Sequence, residues 1–292
     1  MKTKLIAFVC ILLSLLSRGQ HSENHASFQV SVEGKGETMF LIPGLSCSAN
    51  VWKETVNVFK DTYKIHTFTL AGYGGVLPIS KDTILPVIKK DLLEYINKHK
   101  SENSILMGHS IGGFISLMLA IENETLVSKL IIVDALPFLA GASNPSVTEE
   151  IVKSSYGSMK NSYLNLTDEA LKQNLQNTLD HMIRDKSKIE EVLKDAIKSD
   201  RRTLGVTAFE MMSNDLRGPI VSIKIPTLVM TNWNQPSPQY PNFTKEAKLS
   251  IYNQQYKNCS SCTVKIIEKA EHFIMLDNPE IFNTSVKSFI DK

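Results

Sequence analysis

A serine between two glycines is the residue of this chain best placed for covalent chemistry. The sequence GHSIG spans 108–112 around Ser110, with the apolar run SILM (104–107) before it and the apolar run GFISLMLAI (113–121) after it. A G-x-S-x-G turn between a strand and a helix is typical of a nucleophile held on a sharp bend, where glycines let the two backbones approach. The pattern predicts that Ser110 is a nucleophile. A glycine-rich loop with an incidental serine is the alternative.

A serine hydroxyl needs a base within hydrogen-bond reach before it becomes a good nucleophile. Of the seven histidines, His272 alone follows the final predicted strand, in the sequence AEHF (270–273). Catalytic groups of open α/β sheets gather at the carboxyl ends of the strands, so a loop there can carry His272 to Ser110. We therefore predict His272 as the general base, with a surface histidine as the alternative. His109 adjoins Ser110 in sequence, so its side chain should point away and serve packing.

The negative charge that forms on an attacked carbonyl needs hydrogen-bond donors. The turn at Ser110 presents the amide of Ile111, and Gly44-Leu45 closely follows the apolar strand TMFLI (38–42). The position after that strand predicts that the amides of Leu45 and Ile111 form an oxyanion hole. A plain turn is the alternative.

The elements that must position these residues alternate between strands and helices. The predicted strands are 38–42, 65–70, 104–107, 129–133, 226–230 and 263–267, and the predicted helices are 50–60, 113–121, one capped by Asp82 or Thr83 and ending at Lys98, and one starting at Asn278-Pro279. Strands and helices of these lengths imply crossover connections and a mostly parallel sheet covered on both faces. The sequence therefore predicts the α/β fold class.

The alternation stops between residues 135 and 215. Charged amphipathic segments without a convincing strand occupy this stretch, at 148–160, 167–183, 187–198 and 203–213. Such a pattern indicates a helical insertion. We therefore predict a core of residues 28–134 and 216–292 and an inserted helical cap of residues 135–215.

The N-terminal residues 1–19 are typical of a secretory signal peptide. Lys2 and Lys4 precede an apolar run that ends at Leu16, and this run is too short for a comfortable transmembrane helix. A buried N-terminal helix is the alternative. Cleavage near Gly19–Gln20 would remove three basic residues and leave 29 basic against 30 acidic ones. We expect an exported protein, periplasmic or secreted, with no membrane span after signal removal.

Composition limits the partners and cofactors. The chain is 42% hydrophobic and 21% charged, as expected for a folded globular protein, and its net charge is +2. No run of five or more like charges points to a nucleic acid or an anionic membrane, and the oligomeric state is left open. Cys259 and Cys262 are the obvious disulfide pair of an exported protein, and unpaired thiols are the alternative. Two cysteines do not supply the four ligands of a zinc site.

Several motifs together resemble the α/β-hydrolase superfamily, namely LIPG (41–44), SANVW (48–52), GHSIGG (108–113), IPTLV (225–229) and AEHF with NPEIF (270–282). The resemblance covers about residues 38–134 and 216–292. TLAGYGG, DALPF and AEHFIMLDNPEIF further resemble a bacterial group of exported hydrolases. The resemblance implies an α/β-hydrolase fold, with a mostly parallel twisted sheet flanked by helices. It also implies a serine hydrolase that acts on a small-molecule substrate through an acyl-enzyme, with no cofactor and no metal.

The acid of the expected triad departs from the commonest pattern of that family, in which it follows the strand that here reads IPTLVM. This chain continues TNWNQP (231–236) without a carboxylate. Asn234 could orient an imidazole but cannot offset its positive charge. The family also places the acid at the end of the preceding strand, and the resemblance therefore implies Asp134, in LIIVDALP, with a purely structural aspartate as the alternative. The weaker candidates, which equally suit caps or surface ion pairs, are Asp277, Asp215 and Asp200.

The insertion is expected to cover the site as a lid. Its apolar residues could meet an acyl group, although core packing is their default role; they are Leu136, Phe138, Tyr156, Met159, Met182, Phe209 and Met212. We expect a carboxylic-ester hydrolase for small or medium apolar substrates, and amidase, lactonase or carbon–carbon bond hydrolase activity remains open within the same chemistry. A haloalkane dehalogenase is disfavoured because it would need an aspartate at position 110. The alternative to an enzyme is a non-catalytic binding protein on the same scaffold. This alternative is suggested by the lack of a carboxylate near Asn234 in the sequence.

Overall fold

A computed structural model describes residues 21–142, 144–234 and 242–292. The predicted signal peptide, residues 1–19, and the Gln235-Pro236 end of the carboxylate-free segment lie outside the described residues. The described chain forms one sheet flanked by helices.

The strands are β1 (His21–Asn24), β2 (Phe28–Gly34), β3 (Glu37–Ile42), β4 (Tyr63–Leu70), β5 (Ile105–His109), β6 (Lys129–Val133), β7 (Thr227–Trp233) and β8 (Cys262–Glu268). Their order across the described sheet is β1-β2-β4-β3-β5-β6-β7-β8. β1 and β2 run antiparallel at one edge, and every pair from β4 to β8 is parallel. The predicted α/β fold with a mostly parallel sheet is confirmed.

The two edge strands β1 and β2 were not predicted. The first predicted strand, 38–42, therefore corresponds to β3, the third strand of the described chain. β2 carries a period-2 signal, since Phe28, Val30 and Val32 alternate with polar residues, and this pattern could have revealed it. β1 has the sequence HSEN without an apolar residue. Its extended conformation depends on pairing with β2, so no local signal could have shown it.

The α-helices are α1 (Lys53–Phe59), α2 (Leu85–His99), α3 (Ile111–Glu122), α4 (Glu149–Ser155), α5 (Asp168–Met182), α6 (Ile189–Ala196), α7 (Arg201–Met212), α8 (Lys245–Gln255), α9 (Ile274–Asp277) and α10 (Pro279–Ile290). α8 and α9 were not predicted. α10 begins as expected, with the Asn278 side chain accepting from the amide of Ile281. Between β6 and β7 the chain forms α4 to α7, and the described residues of 135–215 include no strand. This segment is called the insertion below.

The start of α2 differs from the prediction. Neither Asp82 nor Thr83 caps this helix. The amides of Ile84 and Leu85 instead donate to the carboxylate of Glu210 in α7, at 2.9 and 2.7 Å. A carboxylate at a helix N-terminus satisfies free amides and interacts favourably with the helix dipole. The cap comes from a residue more than a hundred positions away, so local sequence could not reveal it.

The core beneath the strand ends is apolar throughout. The side chains of Phe40 in β3, Leu106 in β5 and Ile131 in β6 are fully buried, and α3 packs against β5 and β6. α3 is buried on nearly all sides, which explains why its sequence is apolar without a helical period. A rigid base of this kind holds the loops at the carboxyl ends of the strands in fixed positions.

Two of the three cysteines in the described chain are bonded. Cys259 and Cys262 form a disulfide with 5.4 Å between their Cα atoms. This bond joins the turn after α8 to the first residue of β8. Cys47 is free and buried. The sequence left a disulfide and unpaired thiols as the two possibilities, and the structure contains the disulfide.

Candidate active site

Ser110 occupies the bend between β5 and α3. Its backbone has φ 54° and ψ −123°, a conformation that is uncommon for residues other than glycine and that clusters at functional sites. The bend is fixed on both sides, because the Ser110 amide donates to the carbonyl of Val133 (2.9 Å) and its carbonyl accepts from the amide of Phe114 (3.0 Å). Ser110 is therefore held at the carboxyl end of the sheet, where it is partly exposed.

The glycines around Ser110 allow the close backbone approach that the motif predicted. A Cβ on Gly108 would lie 2.2 Å from the carbonyl oxygen of Gly112. A Cβ on Gly112 would lie 2.4 Å from the carbonyl oxygen of Ile42, at the end of β3. Both distances are far below a van der Waals contact, so the glycines are sterically required.

The loop after β3 lies against the first turn of α3. Gly44 approaches so closely that a Cβ there would lie 3.3 Å from the Cβ of Ser110. Cys47 holds this loop, its amide donating to the Gly44 carbonyl (3.2 Å) and its thiol to the Leu45 carbonyl (3.3 Å). Among the described residues, the amides of Leu45 and Ile111 have no hydrogen-bond partner. Both amides are therefore free to bind an anionic oxygen.

Asp134 and His272 are in direct contact. His272 Nδ1 lies 2.6 Å from Asp134 Oδ2, and 21% of the His272 side chain and 8% of the Asp134 side chain are exposed. Asp134 directly follows β6, and the register of β5 with β6 pairs His109 with Val133. Ser110 and Asp134 therefore occupy equivalent positions at the ends of adjacent parallel strands, and His272 comes from the loop after β8.

The hydroxyl of Ser110 makes no hydrogen bond to a described residue. In unliganded hydrolytic sites, the contact between nucleophile and base is often long and tightens only when substrate binds. The structure brings Asp134 and His272 into contact. It places Ser110 at the end of the strand next to the one that Asp134 follows.

Three side chains hold the carboxylate of Asp134. Oδ2 accepts from His272, and Oδ1 accepts from the hydroxyls of Tyr252 (2.7 Å) and Thr231 (2.9 Å). Burial by itself would raise the pKa of Asp134. The hydrogen bond from His272 and the positive charge of Lys248 outweigh burial and hold the pKa of Asp134 well below its usual range. An ionised carboxylate on Nδ1 fixes the imidazole tautomer in which Nε2 is free to accept a proton.

His109 packs against His272. The two imidazole rings lie 4.6 Å apart, and His109 Nε2 donates to the backbone carbonyl of His272 at 3.0 Å. Burial, followed by the charge of His272, lowers the pKa of His109 to about 3. His109 is therefore neutral at physiological pH, and it supports the loop that carries His272.

Asn234 does not contact the imidazole. Its side-chain amide donates to Glu271 Oε1 at 2.9 Å, and Asn232 donates to Glu271 Oε2 at 3.3 Å. The two asparagines at the end of β7 therefore bind Glu271, the residue before His272. The hydrogen-bond partner of His272 itself is Asp134.

The three weaker candidate acids also have other partners. Asp200 caps α7, and Asp215 forms an ion pair. The carboxylate of Asp277 accepts from the amides of residues 184–185 at 2.9 Å each and from the amide of Glu271 at 2.8 Å. Asp277 therefore links the insertion to the His272 loop.

The insertion contacts the loops on both sides of the site. The amide of Phe273 donates to the carbonyl of Met182, at the end of α5 (3.2 Å). On the opposite side, Asp195 of α6 accepts from the hydroxyl of Ser48 at 2.7 Å. A cavity of about 150 Å³ lies between α6 and the loop after β3, and neither Ser110 nor His272 is among the described residues that line it. This cavity is therefore not lined by the candidate nucleophile or the candidate base.

The apolar residues of the insertion divide between core and surface. The buried ones are Leu136, Phe138 and Phe209, and the half-buried or exposed ones are Tyr156, Met159, Met182 and Met212. The default interpretation as core residues is correct for the buried group. The second group leaves apolar surface on the insertion.

The titratable residues gathered around Ser110 all have protein partners; they are His109, Asp134, Glu271 and His272. No group of three or more His, Cys, Asp or Glu in the described parts of the chain is arranged to hold a metal ion. Over residues 21–142, 144–234 and 242–292, no helix is both long and apolar enough to cross a membrane.

Comparison with known sequences gives a family-level match. The sequence profile of the alpha/beta hydrolase family matches residues 39–284. A pimeloyl-[acyl-carrier protein] methyl ester esterase of Vibrio cholerae is 31% identical over 109 residues, 37% of this chain and 41% of that esterase. An (E)-2-((N-methylformamido)methylene)succinate hydrolase of Acinetobacter baylyi is 20% identical over 287 residues, 95% of this chain and 99% of that hydrolase. The chain thus matches about two fifths of the first relative's length and nearly all of the second's.

Solved structures are similar along almost the whole chain. A hydrolase from Pseudomonas aeruginosa superposes with a TM-score of 0.76 at 14% identity, covering 94% of this chain and 100% of that one. An esterase from Exiguobacterium antarcticum superposes with a TM-score of 0.73 at 18% identity, covering 91% and 96%. At such low identity, the likeness shows the fold alone.

Proposed function

The chain belongs to the alpha/beta hydrolase family, and on that premise we propose that it is an exported serine hydrolase that cleaves carboxylic esters of small or medium apolar substrates. In this proposal Ser110 is the nucleophile, His272 the general base and acid, and Asp134 the residue that orients His272. The amides of Leu45 and Ile111 bind the oxyanion. The proposal depends most on one observation, the 2.6 Å contact between His272 Nδ1 and Asp134 Oδ2 at the sheet edge that carries Ser110.

Acylation begins when Ser110 Oγ attacks the carbonyl carbon of the ester and His272 Nε2 accepts the hydroxyl proton. The ionised Asp134 stabilises the imidazolium that forms. The carbonyl electron pair moves to oxygen, and the two amides stabilise the resulting oxyanion. When the tetrahedral intermediate collapses, the carbon–oxygen bond to the alcohol breaks. His272 gives its proton to the departing alcohol oxygen, and the acyl group remains on Ser110.

Deacylation repeats this chemistry with water. His272 takes a proton from the water molecule as its oxygen attacks the acyl carbon, and the same amides bind the second oxyanion. Collapse of this intermediate breaks the bond to Ser110 Oγ, which recovers its proton from His272. The carboxylic acid leaves and the residues return to their starting states, so the net reaction is ester plus water to acid plus alcohol.

Two observations support an ester with an apolar acyl group. The V. cholerae relative is named as a methyl ester esterase, and the E. antarcticum protein as an esterase. The insertion, which acts as the lid in this proposal, carries exposed apolar residues at Tyr156 and Met182. The backbone of Met182 bonds to Phe273, the neighbour of His272. A flexible apolar side chain therefore lies at the edge of the loop that carries the base.

Export is supported by two features of the chain. Residues 1–19 have the charge and hydropathy pattern of a signal peptide. The disulfide between Cys259 and Cys262 is a bond that persists in oxidising compartments and is rare in the cytosol. We expect a periplasmic or secreted mature protein that begins near Gln20.

The proposed function is tested by hydrolysis of short-chain nitrophenyl esters by the mature protein. Wild type should hydrolyse them, and Ser110→Ala should lower kcat by about 10⁴-fold or more. Ser288→Ala, which changes an exposed serine of α10, is the matched control and should keep the wild-type rate. A panel of esters, lactones and amides then ranks the bond classes. A folded wild-type protein that hydrolyses none of them would leave the non-catalytic binding protein as the correct interpretation.

A further inference from the structure

One face of α8 points at the end of β6 and β7. Lys248, Tyr252 and Tyr256 are spaced four residues apart, so they lie on the same side of the helix. The Lys248 ammonium contacts Asn232 Oδ1, and the Tyr252 hydroxyl donates to Asp134 Oδ1. The Tyr256 hydroxyl donates to the backbone carbonyl of Ala135 at 2.8 Å. Of these three residues, only Tyr252 bonds directly to the Asp134 carboxylate.

The Asp134 carboxylate is held by side chains on a backbone of unusual conformation. Asp134 has φ 46°, in the left-handed region that residues other than glycine rarely adopt. Its amide is fixed by a hydrogen bond to the carbonyl of Met230, but that bond does not set the rotation of the side chain. With Tyr252 and Thr231 both on Oδ1, Oδ2 is the oxygen left to face His272.

The contact between Tyr252 and Asp134 is shielded from water. Tyr252 is 6% exposed, and hydrogen bonds to a buried charge are among the stronger ones in proteins. Burial and the neighbouring Asp134 charge raise the pKa of Tyr252 well above its ordinary value. The hydroxyl therefore remains a proton donor over the whole working pH range.

We propose that Tyr252 is a positioning residue, which fixes the rotation of the Asp134 carboxylate so that Oδ2 meets His272, and that Lys248 adds the positive charge that balances this carboxylate. The inference rests on the proposed function, in which Asp134 orients the base. It assigns a role to α8, an element outside the loops that carry the reacting groups. Among the described residues, the charged and titratable groups around the Asp134–His272 pair are His109 from β5, Lys248 and Tyr252 from α8, Tyr256 directly after α8, and Glu271 from the loop after β8.

The first test compares Tyr252→Phe with Tyr256→Phe, which remove one hydroxyl each, one helical turn apart. Tyr252→Phe should lower kcat about tenfold with KM within about twofold, because the misdirected carboxylate affects proton transfer and not substrate binding. It should also shift or broaden the downfield proton resonance of His272 Nδ1–H in the NMR spectrum. Tyr256→Phe, whose hydroxyl touches only backbone, should change neither. Equal kcat and an unchanged downfield resonance in both variants would overturn the proposal.

The second test uses the charge of Lys248 and does not depend on the folding of the tyrosine variants. Lys248→Met removes the positive charge that acts on Asp134, so the carboxylate beside the imidazole is less balanced and favours the protonated, inactive form of His272. The acid limb of the kcat/KM profile should then move to higher pH by a few tenths of a unit. Lys248→Arg keeps the charge and should leave the limb in place. An acid limb that is the same in Lys248→Met and wild type contradicts the role of Lys248.

The outcomes separate this inference from the proposed function. A folded wild-type protein without ester hydrolysis refutes the proposed function, and the positioning role falls with it. A wild-type esterase whose Tyr252→Phe variant behaves like Tyr256→Phe refutes the positioning role alone.

Discussion

The Asp134 carboxylate remains ionised in a place where burial opposes its charge. Its side chain is 8% exposed, and the hydrogen bond from His272, the positive charge of Lys248 and the hydrogen bond from Tyr252 outweigh the effect of burial on its pKa. In the proposed mechanism this negative charge selects the reactive tautomer of His272 and stabilises the imidazolium during proton transfer. An asparagine has the same shape but lacks the charge, so the two contributions can be separated by substitution.

Asp134→Asn should therefore lower kcat by about 10³–10⁴-fold while KM changes little. The variant can keep the hydrogen bond only with the wrong imidazole tautomer, and it cannot balance the imidazolium. Asp215→Asn, the same chemical change in an ion pair that does not touch His272, is the control and should keep kcat near wild type. Steady-state kinetics on a nitrophenyl ester checks both. Full activity in Asp134→Asn would mean that another group orients the base.

The sequence predicted the candidate residues but not the side chains that hold them. Its glycines predict Ser110 as the nucleophile, its place after the last strand predicts His272 as the base, and the resemblance to a family with two acid positions implies Asp134. Tyr252 contacts Asp134 across 118 residues of chain, in a helix that was not predicted. Its only sequence signal is the four-residue spacing with Lys248 and Tyr256, which ordinary core packing would also produce.

At the scale of elements, the turn between β5 and α3 is the part of the fold on which the site depends most. Its glycines bring α3 against the end of β3, and this contact places the loop after β3 beside Ser110. The same packing leaves the first amides of α3 free at the helix N-terminus, where negative charge is stabilised. The position of the amides proposed to bind the oxyanion is therefore a consequence of how closely two elements pack.

Gly112→Ala should consequently destabilise the fold by about 3 kcal/mol or more, because the new Cβ would collide with two backbone carbonyls that cannot move independently. Gly218→Ala is the matched control, since a Cβ there meets nothing within 4 Å and its backbone φ is −78°. Urea unfolding followed by circular dichroism measures both. Equal stability of the two variants would show that α3 can shift away from β3 without cost.

Element prediction succeeded where the signal was local. The central strands and α3 follow from apolar runs bounded by turn residues, and α10 follows from the Asn278-Pro279 start signal. The start of α2 was wrong because its cap is Glu210, which tertiary structure brings from the insertion. The edge strand β1 was missed because its extended conformation depends on pairing with β2 and has no signal in its own sequence.

At the scale of the whole molecule, two buried histidines couple stability to pH. His66 in β4 bonds to the hydroxyl of Tyr95, and His109 lies against His272. Burial is the main cause that lowers the pKa of each to about 3, against 6.5 for an ordinary histidine. Below pH 6.5 the unfolded chain binds protons that the native state excludes. Stability is therefore lost as the pH falls from 6.5 towards 3.

The free energy of unfolding should fall by about 2 kcal/mol for each of these histidines between pH 7 and pH 5. Urea titrations at the two pH values measure the difference. His66→Gln removes one of the two groups without touching the site, so it should lose about half of the pH dependence. A free energy of unfolding that is the same at both pH values would contradict the neutral burial of the histidines.

The central claim, that Ser110 is a nucleophile activated by His272, is tested most directly by mapping a covalent adduct. The mature protein is treated with a fluorophosphonate, digested with trypsin and analysed by mass spectrometry. The account predicts one adduct on Ser110, within the tryptic peptide 101–129. It also predicts no adduct in Ser110→Ala and labelling slowed by about 10³-fold or more in His272→Ala. A folded wild-type protein that remains unlabelled, or an adduct that persists in Ser110→Ala, would contradict it.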